Sequence, residues 1–141
     1  MRAYEIEVLK NGEPVTVSLR LTLKGQMNLK KQYNENALTT IFGGMDDVRK
    51  MLAVFKEALN YKDNENTIKD GEELYDLIVD ADMGGVSGFQ KILTGIARES
   101  GLLTEKEMET LNKKAESFVE DAFSNDTDDE KNLVSLPLSK A

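Results

Sequence analysis

The stretch AYEIEVLKNGEPVTVSLRLTL, residues 3–23, decides the fold of this 141-residue chain. Apolar side chains alternate with polar or charged ones on both sides of the dipeptide Asn11-Gly12. A period of two is typical of a strand with one buried face, and Asn-Gly is the strongest short-range signal of a two-residue hairpin turn. The stretch therefore predicts a β-hairpin over residues 3–23. Because an isolated hairpin is only marginally stable in water, its apolar face must pack against helices or against a partner.

After the hairpin, apolar residues recur every three or four positions, which is typical of amphipathic helices. The spacing predicts short helices over 25–34 and around 38–42, and longer helices over 48–60, 71–82, 89–100 and 105–123. The polar stretch between the third and fourth of these helices, residues 60–71, is expected to be a loop. The methionines within the helical stripes are expected to fill the core: Met27, Met51 and Met108.

Short polar signals mark the ends of the predicted helices. Asp46 or Asp47 suits the N-cap of the third helix, where a carboxylate also faces the positive end of the helix dipole. Thr104 and Glu107 have the spacing of a capping box at the start of the last helix. Three glycines are expected to break the chain between the fourth and fifth helices: Gly84, Gly85 and Gly88.

The predicted fold class is α+β and mainly helical, with an N-terminal β-hairpin followed by about five or six helices. A single domain is expected over 1–123, made of the hairpin over 3–23 and a helical body over 25–123. Residues 124–141 are expected to form a flexible acidic tail with a short apolar end. The segment SNDTDDEKN within it is too polar to bury enough surface to order itself.

The charge of the chain limits the classes of partner that it can bind. It has 26 acidic and 18 basic residues and a net charge of −8. Residues 104–130 alone hold 10 acidic and 3 basic groups, so most of the excess lies on the last helix and the tail. A negative protein is a poor match for nucleic-acid phosphates. With no apolar leader at the N-terminus and no apolar run near the roughly 20 residues of a membrane span, we expect a cytoplasmic location and no membrane contact.

The residue types that the chain lacks limit the reactions that it could catalyse. The chain has no His and no Cys, so it lacks the commonest general base, the thiol nucleophile and the commonest zinc ligands. A calcium loop beginning at Asp80 fails because its twelfth position is Lys91 instead of a glutamate. The segment GGVSGFQK lacks the lysine that directly follows the last glycine of a phosphate-binding loop. We therefore expect no enzyme activity, no catalytic residues, no metal site and no cofactor.

A short apolar segment, LVSLPLSKA, follows the acidic tract at the end of the chain. It is either a disordered terminus or a linear segment that docks on a partner or on the body of the protein, since exposed apolar residues in a cluster usually mark a contact site. Its apolar members are the candidate partner-binding residues: Leu133, Val134, Leu136 and Leu138.

The order of the parts resembles the tail assembly chaperones of long-tailed bacteriophages and prophages. Three stretches show the resemblance: VSLRLTLKGQMNLKKQYNENALTTIF at 17–42, DDVRKMLAVFKEALN at 46–60 and GFQKILTGIARESGLLTEKEMETLNKKAESFV at 88–119. The first is similar to the family's apolar strand that runs into two short helices. The other two are similar to the later helices of the family. Together with the hairpin opening and the acidic end, the resemblance extends over roughly residues 3–123.

The resemblance implies a non-catalytic protein of the infected bacterium's cytoplasm that is absent from the mature virion. Its partners would be the tape measure protein, which it binds and keeps soluble, and the major tail tube protein, which it helps to recruit. Unpaired edges of the hairpin also offer self-association. Two other functions remain open: a structural head–tail connector or tail terminator, and a small cytosolic adaptor unrelated to phage.

Overall fold

The computed structural model describes residues 2–61 and 66–110 of the chain. Two strands, β1 (Tyr4–Lys10) and β2 (Glu13–Leu19), form an antiparallel two-stranded sheet. Five helices follow, α1 (Leu23–Tyr33), α2 (Ala37–Gly43), α3 (Val48–Leu59), α4 (Gly71–Asp80) and α5 (Gly85–Glu99), and residues 105–110 begin a sixth. The predicted α+β, mainly helical fold with an N-terminal hairpin is confirmed.

Contacts divide the chain into a compact unit over Met1–Leu103 and a second unit that begins at Thr104. The first unit contains the hairpin and the five helices α1–α5. The expected domain boundary at residue 123 and the expected tail over 124–141 lie outside the described residues. Within the described ranges, no helix is both long enough and apolar enough to cross a membrane.

The hairpin turns at Asn11 and Gly12, whose φ angles of 55° and 81° lie in the left-handed region. Two successive positive φ angles define the type I′ turn that matches the twist of paired strands, and Asn-Gly adopts it at low cost. The turn sets a register in which Lys10 lies opposite Glu13 and Tyr4 lies opposite Leu19. The predicted alternation holds, since the apolar face of the hairpin is buried and the other face is exposed.

The hairpin is shorter than the predicted 3–23 because its second strand ends at Leu19. Thr22 is the N-cap of α1, and its hydroxyl accepts a hydrogen bond from the Gly25 amide at 3.2 Å. A side-chain cap satisfies an amide that has no partner within the helix, so α1 begins at Leu23, two residues before the predicted start. The alternation of apolar residues extends past the end of the strand to Leu21 and Leu23, although Leu23 already belongs to α1.

The core lies between the inner face of the hairpin and the helices α3, α4 and α5. α3 contacts β2, whereas α4 and α5 contact β1. Burial of apolar area supplies the main stabilisation of such a layer. The largest fully buried side chains come from every layer of the unit: Phe55, Leu19, Leu21, Leu29, Ile41, Leu59, Ile68, Leu74, Ile78, Leu93, Ile96 and Val8.

The loop before α4 contributes a buried polar side chain, Asn66, which is only 4% exposed. Its amide oxygen accepts from the Ser18 amide at 3.0 Å. Its amide nitrogen donates to the carbonyl of Ser18 at 2.9 Å and to that of Leu59 at 2.7 Å. Asn66 therefore joins the outer edge of β2 to the C-terminal end of α3. The predicted loop is confirmed for the described residues. The spacing of apolar residues did not predict that Asn66 and Ile68 within the loop are buried.

The end of β2 is also fastened to the end of α5. The Arg20 guanidinium donates to the carbonyls of Glu99 at 2.7 Å and Arg2 at 2.8 Å, and the Leu21 amide donates to the Ser100 hydroxyl at 2.7 Å. Carbonyls in the last turn of a helix have no partner within it, and a cation there opposes the negative end of the helix dipole. Arg20 therefore stabilises the α5 terminus while it holds the hairpin against it.

The predicted break between the fourth and fifth helices is placed differently in the structure. α4 ends at Asp80, and Asp82 at φ 59° and Gly85 at φ 75° turn the chain. Gly88 lies inside α5, so its prediction as a helix breaker was wrong. A Cβ at Gly88 would collide with the Met83 carbonyl, so this glycine permits close packing at the start of the helix.

Two predicted caps are confirmed. Asp47, rather than Asp46, is the N-cap of α3, and its carboxylate accepts from the Arg49 amide at 3.0 Å. The Thr104 hydroxyl accepts from the Glu107 amide at 3.2 Å, and the Glu107 carboxylate accepts from the Thr104 amide at 2.9 Å. This reciprocal pair is a capping box. It also holds the pKa of Glu107 below its usual value, because hydrogen bonds from Thr104 favour the ionised carboxylate.

Two buried glycines should respond differently to replacement by alanine, because only Gly95 lies where α5 packs closely against β1. A Cβ at Gly95 would overlap the ring of Tyr4, whereas a Cβ at Gly25 would meet its neighbours at 3.5 Å or more. We expect Gly95→Ala to lower the free energy of unfolding by about 1–3 kcal/mol through overpacking. We expect Gly25→Ala to leave it unchanged or raise it by up to about 1 kcal/mol, because alanine favours the helix. Urea denaturation of both variants measures the difference.

The same clash makes the effects of two substitutions non-additive. Removing the ring with Tyr4→Ala opens the space that a Cβ at position 95 would occupy. The Tyr4→Ala/Gly95→Ala double variant should therefore lose less stability than the sum of the two single variants. Equal losses for Gly95→Ala and Gly25→Ala, or strict additivity of the pair, would contradict this packing of α5 on β1.

Candidate partner-binding surface

Helix α1 exposes two large apolar side chains on one face. Leu23 is 72% exposed and Met27 is 62% exposed. Residues four positions apart lie on the same side of a helix, one turn above the other. Gly25 and Leu29 are the buried residues of the same helix. The exposed pair, which we call the α1 apolar pair, is therefore a surface feature and not part of the core.

The exposure of Met27 corrects a prediction. The pattern predicts Met27, Met51 and Met108 in the core, but only Met51 is fully buried, at 4% exposed, and Met108 is half-buried. The inner stripe of α1 is instead formed by Gly25 and Leu29. Methionine on a surface adapts its shape to different partners because its side chain is unbranched and polarisable. The four-residue spacing from Leu23 to Met27 was the available signal, and it was missed because Leu23 had been placed in the strand.

Residues of α1 other than the apolar pair border, together with α3, an open groove, which we call the α1–α3 groove. Its larger part has a volume of about 560 Å³ and is lined by Gln32, Tyr33, Arg49, Leu52, Ala53, Lys56, Glu57, Asp70, Gly71 and Glu72. Its smaller part has a volume of about 350 Å³ and is lined by Thr22, Lys24, Gly25, Asn28, Glu57, Asn60 and Tyr61. Glu57 lines both parts, so they follow the same side of α3.

One end of the α1–α3 groove depends on close packing at the start of α4. A Cβ at Gly71 would lie 2.6 Å from the Leu52 carbonyl oxygen of α3, a distance that real side chains do not show. Only glycine lets the two backbones meet here. The Asp70 carboxylate caps this end of α4 by accepting from the Glu72 amide at 3.1 Å. Two apolar residues, Leu52 and Ala53, line this part of the groove together with charged residues.

An ion pair fixes the C-terminal end of α1 against α3. The Lys50 ammonium lies 2.9 Å from the Glu35 carboxylate and 5.6 Å from the centre of the Tyr33 ring. The Thr40 hydroxyl also donates to Glu35, at 2.9 Å. The Lys50 hydrogen bond, followed by that of Thr40, holds the pKa of Glu35 below its usual value. The same contact with Glu35 raises the pKa of Lys50, so both groups stay charged at neutral pH.

A second ion pair lies at the start of α3. The Arg49 guanidinium lies 3.2 Å from the Asp47 carboxylate, and the Tyr33 hydroxyl donates to the Arg49 carbonyl at 3.2 Å. Hydrogen bonds from Arg49 lower the pKa of Asp47, and Asp47 raises that of Arg49. A general acid or base is most effective with a pKa near the working pH. A carboxyl group whose pKa is lowered stays ionised near neutral pH, so it suits ion pairing more than proton transfer.

The partner-binding residues predicted from the sequence lie in a different part of the chain. Leu133, Val134, Leu136 and Leu138 lie outside the described residues, so their prediction as partner-binding residues stays a prediction. Among residues 2–61 and 66–110, no cluster of three or more acidic side chains could hold a metal ion. The structure shows two separate surface features, the α1 apolar pair and the α1–α3 groove, neither of which was predicted as a site.

The Glu35–Lys50 ion pair predicts a dependence of stability on pH. The folded-state pKa of Glu35 lies below its ordinary value of 4.5, so the unfolded chain binds a proton more readily as the pH falls. The stabilisation is present above the ordinary pKa and is lost as the pH drops through the lowered folded-state value. We expect Glu35→Gln to destabilise the protein more at pH 7 than near about pH 3.

Urea denaturation at the two pH values measures this loss. Asp46→Asn is the matched control, because Asp46 is exposed and its carboxylate forms no ion pair with another described residue. The control should follow wild type at both pH values. An equal cost of Glu35→Gln at both pH values would show that the ion pair does not stabilise the fold.

Comparison of the chain with protein-family models, with curated proteins and with solved structures found no match. The resemblance to tail assembly chaperones is therefore a similarity of sequence pattern alone. The surface of the first unit is an independent source of information about function. On that surface, the α1 apolar pair consists of two large exposed apolar side chains one helical turn apart.

Proposed function

We propose that this chain is a non-catalytic phage tail assembly chaperone that binds and solubilises the tape measure protein and helps to recruit tail tube subunits. It would act in the cytoplasm of the bacterial host and be absent from the mature virion. The observation that carries the proposal is the exposure of Leu23 and Met27 on one face of α1. Large apolar side chains clustered on a surface are costly to leave in water and usually mark a contact site.

The shape of this surface suits a helical partner. An amphipathic helix docks by placing its apolar face in a groove, with anchors spaced three or four residues apart. Leu23 and Met27 lie one turn apart on α1, so together they present an apolar contact to such a helix, and Leu52 and Ala53 line the separate α1–α3 groove. The tape measure protein of the resembled family is long, helical and prone to aggregation, so it would present such apolar faces along its length.

The charge of the chain fits the same role. Three exposed lysines lie on the same helix as the α1 apolar pair and keep the surface of α1 hydrated in the free protein: Lys24, Lys30 and Lys31. The whole chain has a net charge of −8, and repulsion between like-charged particles keeps complexes dispersed. An assembly chaperone needs both properties, because it must cover an apolar partner without precipitating with it.

Co-expression tests the proposal. A fragment of the tape measure protein encoded near this chain should be insoluble alone and soluble with wild type. The Leu23→Ser/Met27→Ser double variant should bind the fragment about tenfold or more weakly, since each buried Leu or Met contributes about 1.5–3 kcal/mol. The soluble fraction after centrifugation and the Kd of the purified complex measure this loss.

The control is Val79→Ser/Val86→Ser, which changes two exposed apolar residues on α4 and α5. Both double variants should unfold at the wild-type temperature, because all four side chains are exposed. The control should solubilise the fragment as wild type does. A fragment that stays insoluble with wild type would contradict the proposal, and a chain whose gene has no tail genes near it would favour a small cytosolic adaptor.

A further inference from the structure

The two edges of the hairpin differ in their hydrogen bonding. In an antiparallel pair, opposite residues alternate between exchanging both backbone hydrogen bonds and exchanging none. The two-residue turn makes Lys10 and Glu13 the first hydrogen-bonded pair, so the backbone groups of Glu5, Glu7 and Leu9 point away from β2. Among the described residues, no other backbone or side chain bonds to these outward groups. β1 therefore presents an open edge.

Two features obstruct the edge of β2, at Pro14 and at Ser18, on either side of Thr16. Pro14 has no amide hydrogen to offer. Asn66 engages both outward backbone groups of Ser18, accepting from its amide and donating to its carbonyl. A partner strand that added to β2 would have to displace this buried side chain. Strand addition is thus directed to β1 by the structure of the hairpin itself.

The side chains beside the open edge select the chemistry of the partner. Glu5, Glu7 and Leu9 lie on the exposed face of β1, and Leu9 is 55% exposed. Residues opposite each other on neighbouring strands interact directly, and opposite charges there are favourable while like charges are unfavourable. A strand with lysine or arginine at alternate positions is therefore complementary to this edge.

A second copy of the chain is a poor occupant of the same edge. Antiparallel pairing of two β1 strands about Ile6 or Glu7 places glutamates directly opposite each other. Pairing about Val8 places the two copies of Glu7 on a diagonal, which is still within reach. In each register the acidic residues of the two copies meet, so self-association through this edge is opposed by like charge.

We propose that the outer edge of β1 binds an extended segment of a partner protein by strand addition, with basic side chains of that segment beside Glu5 and Glu7. The backbone of the segment supplies hydrogen bonds to the open edge, and its alternating basic residues supply specificity. This binding is independent of the α1 apolar pair, so it can hold or fail without bearing on the proposed chaperone function.

A labelled peptide tests the proposal on the full chain. The probe has the seven-residue length of β1, alternates lysine and valine, and is blocked at both ends. Fluorescence anisotropy should show saturable binding to wild type, and the same peptide with glutamate in place of lysine should bind about tenfold or more weakly. Absence of saturable binding by the lysine peptide, or equal binding by both peptides, would overturn the proposal.

Two proline variants locate the binding edge. Glu7 and Thr16 lie opposite each other in a pair that exchanges no backbone hydrogen bonds, so the outward amide of each is free of the hairpin ladder. Proline is tolerated at such edge positions and removes only the outward donor. Glu7→Pro should abolish binding of the lysine peptide, whereas Thr16→Pro should leave it unchanged. The reverse result, or equal binding to both, would contradict addition at β1.

Charge variants keep the test valid if a proline variant does not fold, which circular dichroism would reveal. Glu7→Gln keeps the backbone donor and should weaken binding of the lysine peptide several-fold. Glu7→Lys should weaken it further and should favour the glutamate peptide. Binding of the lysine peptide that is unaffected by Glu7→Lys would show that this edge does not select a basic strand.

Discussion

The amide of Asn66 holds the hairpin on the helical body. It is a buried polar side chain whose one acceptor and two donors are all used, on Ser18 of β2 and on Leu59 at the end of α3. A buried amide left without partners would cost the free energy of desolvation, so these three bonds tie the position of the loop to that of the hairpin. The Arg20 amide adds a fourth bond in the same place, to the carbonyl of Ala58 at 3.1 Å.

Several features follow from this attachment. With β2 held on α3, the inner face of β1 lies over α5, where the Tyr4 ring occupies the space beside Gly95. The exit of β2 then reaches the end of α5, where the Arg20 side chain and Ser100 fasten it. Asn66 occupies one edge of the sheet at Ser18, whereas no described residue bonds to the outward backbone groups of β1. The same contact thus stabilises the fold and determines which edge can receive a partner.

Much of the local structure could be predicted from the sequence because its causes are local. The hairpin turn follows from Asn11-Gly12, and the capping box follows from Thr104 and Glu107. The long-range contacts could not be predicted in this way. Asn66 lies 48 residues from Ser18 in a stretch without apolar spacing, and no pattern distinguishes it from the exposed Asn60 nearby.

The candidate surface was missed for a related reason. Leu23 continues the alternation of the hairpin, so the period-two pattern concealed the start of α1 and the apolar pair that Leu23 forms with Met27. A Thr22 cap separates strand from helix at this point, and one side-chain hydrogen bond decided the boundary. The proposal that the edge of β1 binds a basic strand depends on the obstruction of the β2 edge. That obstruction in turn depends on the position of Asn66.

Hydrogen exchange of the hairpin amides, followed by NMR, tests the edge asymmetry most directly. Amides that are hydrogen-bonded within a stable element exchange only when that element opens. The Ser18 amide should exchange as slowly as the inward amide of Val17, whereas the amides of Glu5, Glu7 and Leu9 should exchange about a hundredfold faster or more. Fast exchange at Ser18, or protection of Glu7 equal to that of Ser18, would contradict the closure of β2 by Asn66 and the open edge of β1.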